Sequence, residues 1–131
     1  AHIMLSIRSQ GDHRVFYNES RELLQLKSKK SGAVKTWRPC PLLELADYEK
    51  WLNKNRQRFD MGSREASKRP MAKTLLLWPP TTIRESHVTD DQIVEIGQIK
   101  ALAFKRKGTI FVINKEDLTA FAEGWLTQWS Q

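Results

Sequence analysis

Catalysis and metal binding need side chains that converge, and the spacing in this chain brings few of them together. Of the three histidines, His2 lies in residues 1–3 (AHI), a stretch before Met4 that reads as a remnant of cloning. His13 and His87 lack any His-x-x-x-His partner, and Cys40 is the single cysteine, so no zinc-site spacing is present. Cys40 lies between Pro39 and Pro41 with no histidine beside it, which argues against a nucleophilic thiol. The carboxylate pairs Asp90 with Asp91 and Glu116 with Asp117 stand where helix N-termini favour negative charge, which explains them without acid–base or magnesium chemistry. Ser31 with Gly32, and Gly62 with Ser63, match neither a P-loop nor a dinucleotide fingerprint. These readings predict a non-enzymatic protein with no catalytic residue, cofactor or metal.

The residues that do gather are cations. Lys27, Lys29, Lys30 and Lys35 crowd one polar connection, and Trp37 and Arg38 follow it. Lysines of this kind seek phosphates, while an indole or a guanidinium can stack on a base or reach a groove edge. Lys50, Lys54, Arg56 and Arg58 extend the positive surface along a predicted helix, and Lys68 with Arg69 could form a further phosphate-contacting arm. The chain has 22 Lys and Arg against 15 Asp and Glu, a net charge of +7. Residues 1–71 hold 15 basic and 8 acidic side chains, whereas residues 72–131 hold 7 of each. A basic excess confined to one region draws polyanions, because phosphate neutralisation releases counterions.

These twelve residues predict a small nucleic-acid-binding protein of a regulatory or accessory kind. DNA is favoured over RNA, since a two-stranded ribbon can enter the major groove. The alternative is an adaptor or inhibitor that docks its basic face on an acidic protein. Trp37 also has a competing reading as a core residue beneath the helix that follows, with the lysines an ordinary solvated turn.

Several elements must position these groups. Residues 5–8 and 15–17 read as short strands around a turn at Gly11 and Asp12. Residues 23–27 and 33–37 flank the turn 28–32 (SKKSG) as a hairpin in which Lys35 and Trp37 share a face. Pro41 opens a helix with Leu42, Leu45, Tyr48, Leu52 and Phe59 on one stripe, widened by Trp51. Residues 75–78 (LLLW) and 109–113 (TIFVI) read as buried strands able to pair in parallel. Thr89 with Gln92 marks a helix start, and a buried face of Ile93, Ile96, Ile99 and Ala103 follows. Gly97 allows a break in that helix, and a hairpin turning at residues 106–108 is a less favoured option. Asn114 then caps a final helix with Leu118, Phe121, Ala122, Trp125 and Trp129 on its stripe.

The order of elements from Thr89 onward resembles small winged-helix DNA-binding modules such as phage excisionases. That resemblance implies a reading helix around Gln98, Lys100 and Lys105.

The expected class is α+β: a small antiparallel β-sheet plus helix over residues 4–60, a linker at 61–73, and a β-α-β-α unit over 74–131. The two parts either share a core or dimerise, with a protein partner or second copy meeting the neutral C-terminal part. The longest apolar stretch, residues 74–80 (TLLLWPP), is far short of the ~20 residues a membrane span requires, so a cytoplasmic chain is expected.

Overall fold

In the computed structural model, the structure describes residues 2–55 and 71–128. In chain order they form β1 (His2–Arg8), β2 (His13–Asn18), β3 (Leu23–Ser28), β4 (Val34–Thr36), α1 (Pro41–Lys54), β5 (Met71–Leu77), β6 (Ile93–Ile96), β7 (Ile99–Lys105), β8 (Thr109–Asn114) and α2 (Leu118–Gln128). Single 3-10 turns stand at Glu85–His87, Asp90–Gln92 and Lys115–Asp117. The class is mixed α+β, with a five-stranded sheet in the order β1-β5-β8-β7-β6 and a three-stranded sheet in the order β2-β3-β4. β5 runs parallel to both β1 and β8, while β6, β7 and β8 form an antiparallel meander.

The apolar runs in β5 and β8 follow from covering both faces of the larger sheet. On one face, Leu75, Leu77, Leu102, Phe104, Ile110 and Val112 pack with Val15, Leu24 and Leu26 of the small sheet and Leu42 and Leu45 of α1. On the other, Leu76, Phe111 and Ile113 meet Phe121 and Trp125 of α2. Successive strand residues point to opposite faces, so a continuous apolar run is what a middle layer requires. The parts before and after residues 56–70 therefore share a core, one of the two arrangements the sequence allows.

Four local expectations need correction. First, no helix runs from Thr89 to residue 105; that region is the β6–β7 hairpin leading into β8. Gln92 accepts a hydrogen bond from the Thr89 backbone N–H at 3.1 Å, so the capping interaction forms, but it closes only a 3-10 turn. Gly97 lies at φ +64° in a two-residue turn between Ile96 and Ile99, a conformation that no helix interior contains. The reading helix around Gln98, Lys100 and Lys105 is thus turn and strand, and the second hairpin turns at residues 106–108. The β-α-β-α order is accordingly a strand followed by a three-strand meander and a helix.

Second, β1 does not pair with β2. It takes the edge of the larger sheet beside β5, and Met4 packs into the core between the layers. Residues 2 and 3 belong to this strand, and the Trp125 indole N–H donates to the His2 carbonyl at 3.1 Å. Third, α1 buries Pro41, Leu42, Leu45 and Ala46, while Tyr48 and Trp51 are each about half exposed. The packed face rotates toward Glu49, whose carboxylate meets Lys73 at 3.2 Å. Fourth, β5 begins at Met71, so residues 71–73 of the expected linker are strand. Residues 61–70, Phe59 and Trp129 lie outside the described residues. Among the described residues, no helix is long and apolar enough to cross a membrane.

Candidate nucleic-acid interface

The small sheet presents its inner face to the core and its outer face to solvent. Val15, Tyr17, Leu24 and Leu26 point inward, so the alternate positions Arg14, Phe16, Gln25 and Lys27 point outward. The strand register sets Arg14 directly opposite Lys27, and Lys27 opposite Val34. Phe16 lies opposite Gln25, which in turn lies opposite Thr36. The open face therefore carries a row of two cations beside a row holding an aromatic ring. The His87 ring stands 4.8 Å from that of Phe16, tilted by 34°.

Like charges directly opposite one another on a sheet repel. Here no carboxylate relieves the repulsion: neither Arg14 nor Lys27 has an ion-pair partner among the described residues. Arg14 Nε is also buried without a hydrogen-bond acceptor among them. On the far side of β2, Thr82 bridges Arg14, with Val15 N–H donating to the Thr82 carbonyl at 2.8 Å. Thr82 thus adds one isolated bridge beside β2, and Arg84 is exposed two residues beyond it.

The structure divides the twelve residues expected from sequence. Lys27, Lys30, Lys35 and Arg38 are exposed on or beside the small sheet, without an acidic partner among the described residues. Lys29 is engaged: its ammonium donates to the Pro80 carbonyl at 2.7 Å and faces Asp12 at 3.7 Å. Trp37 is only 4% exposed and packs with Leu42 and Leu45, so its ring is core and closed to a base. It lies on the same side of the ribbon as Lys35, since Lys35 is opposite Leu26 and the Trp37 N–H donates to the Leu24 carbonyl at 3.0 Å, but Lys35 is exposed at the sheet edge while Trp37 is covered. Lys50 and Lys54 are exposed on α1 near Tyr48 and Trp51. Arg56, Arg58, Lys68 and Arg69 lie outside the described residues.

Sequence reasoning missed Arg14, Phe16 and Arg84. Alternation within residues 13–18 (HRVFYN) is the signal that could have exposed the first two, once Val15 is assigned to the core. It also missed Lys73, which reads as linker but is buried in β5, with its ammonium 3.2 Å from Glu49 and 3.3 Å from the Lys107 carbonyl. Among the described residues, no group of three or more His, Cys, Asp or Glu could hold a metal ion. Two titrations shift away from this face. Burial, and then the Glu22 carboxylate, pushes the Tyr17 phenol up, and burial followed by Glu116 raises Asp117.

Compared with protein-family models, curated proteins and solved structures, the chain matches none.

Proposed function

We propose that the protein binds nucleic acid through the outer face of its small sheet and the basic turn beside it, acting as an accessory or regulatory binder rather than an enzyme. One observation carries this reading: Arg14 and Lys27 stand directly opposite each other on a solvent-facing sheet with no acid among the described residues to offset them. Such a pair is unfavourable alone and favourable with a phosphate between or above the two charges. Lys30 extends the positive surface at the turn of the same hairpin, Lys35 adds charge on the hairpin's other side, opposite Leu26, and the net charge of +7 adds long-range attraction.

Fluorescence anisotropy of labelled oligonucleotides, titrated at several salt concentrations, tests the proposal. Affinity should fall steeply with salt, and Lys27→Gln with Lys30→Gln should make the slope shallower by roughly one for each phosphate that is no longer neutralised. Absence of binding at low salt would remove the reading and turn attention to an acidic protein partner.

A further inference from the structure

We infer that the ligand of this face is a single strand rather than a duplex, with a base stacked on Phe16 and the neighbouring phosphates on Arg14 and Lys27. The inference rests on the nucleic-acid reading above and replaces the groove-inserting ribbon that the sequence suggests. A ribbon that enters a major groove must fit a width of about 12 Å and reach in with an open face. This hairpin is joined to β2 and does not stand free as a two-stranded unit. Leu24 and Leu26 commit its inner face to the core, and Lys29 ties its turn to the Pro80 carbonyl and Asp12.

Width leads to the same conclusion. β4, β3, β2 and the Thr82 segment lie side by side. At about 4.8 Å between strands they span about 14 Å before side chains are added, against a major groove about 12 Å wide. What remains open is a broad face. Phe16 sits half-buried there, one outward position along β2 from Arg14, with the His87 ring adjoining it and Arg84 exposed nearby. A duplex keeps its bases stacked on one another, so none can lie flat on the ring. A single strand can lay a base on the ring while its phosphates reach the cation row.

The test compares single-stranded DNA, single-stranded RNA and duplex DNA of equal length, by anisotropy at one salt concentration. The variants are Phe16→Leu, which keeps apolar volume but removes the ring, Phe16→Tyr, which keeps the ring, and Lys27→Gln. A single strand should bind about ten-fold or more tightly than the duplex. Phe16→Leu should weaken single-strand binding about ten-fold with little effect on the duplex, whereas Phe16→Tyr retains it. Lys27→Gln should weaken both forms. Duplex binding as tight as single-strand binding, or an unaffected Phe16→Leu, overturns the inference; the broader reading survives that outcome if Lys27→Gln still weakens binding. Failure of every oligonucleotide to bind overturns both. Should Phe16→Leu not fold, the Phe16 ring proton resonances of the unaltered protein decide, on addition of oligothymidylate: movement is expected, and no movement overturns the inference.

Discussion

The side-chain amide of Asn114 closes a ring of two hydrogen bonds with the main chain of Ile83. Its Oδ1 accepts from the Ile83 N–H at 2.9 Å, and its Nδ2 donates to the Ile83 carbonyl at 2.9 Å. Asn114 thereby serves as a strand partner for the loop after β5, where its position before α2 suggests a helix cap. Ile83 is 3% exposed, so its peptide groups have little access to water. Asn114→Ala should destabilise the fold by about 1–3 kcal/mol, the range for buried backbone groups that lose their partners. Urea unfolding checks this. A change of a few tenths would show that the clamp contributes little.

The Lys73–Glu49 pair should respond unequally to loss of either member. Lys73 is buried and Glu49 is about one-third exposed. Glu49→Ala leaves a buried ammonium with, among the described residues, the Lys107 carbonyl as its remaining hydrogen-bond partner, and should cost about 2 kcal/mol or more. Lys73→Met removes the charge, keeps the stem, and lets the carboxylate turn to water, so the loss should be smaller. Equal effects in chemical denaturation would contradict this ordering.

Gly124 lies inside α2, where replacement by alanine ordinarily stabilises by about 1 kcal/mol. Here the sign should reverse. A Cβ at Gly124 would lie 2.6 Å from the Ile96 carbonyl oxygen and 2.9 Å from the Gly97 nitrogen, both backbone atoms. Gly124→Ala must push α2 away from the β6–β7 turn and should lower the melting temperature.

The Tyr17 hydroxyl donates to the Lys105 carbonyl at 2.7 Å, and its ring stacks on Phe104 with centroids 4.5 Å apart. Burial raises its pKa above that of an unfolded phenol, so the fold favours the neutral form. That contribution is fully present below the unfolded value of about 10 and is lost as pH rises through the folded one. Tyr17→Phe should lose about 1 kcal/mol at neutral pH and then show a shallower alkaline decline than the unaltered protein. Unfolding curves at neutral and alkaline pH measure both.

Lys27→Glu separates binding from stability. It places an acid opposite Arg14 and should stabilise the sheet by about 0.2–1 kcal/mol, while weakening nucleic-acid binding. Lys29→Glu is a poor test of binding alone, because it breaks the contacts with Pro80 and Asp12 and should lower stability as well.

Local chemistry made much of this architecture readable. Alternation and turn residues located the β3–β4 hairpin, Pro41 marked the start of α1, and the unbroken apolar runs of β5 and β8 required a layer covered on both sides. Parallel pairing of those two strands is realised with Leu75 opposite Val112. Where several structures satisfy the same local pattern, only packing chose. Ala101, Leu102, Ala103 and Phe104 have helix-compatible residues, yet two glycines with positive φ bracket them, and both faces of the resulting strand find apolar partners. Trp37 follows the same logic: beside lysines it reads as a stacking residue, but the space beneath α1 claims it. For the candidate site, composition alone shows that the N-terminal part is basic. That Arg14 faces Lys27 beside an outward Phe16 depends on a register fixed by which side of β2 and β3 meets the core, a choice that requires the whole fold.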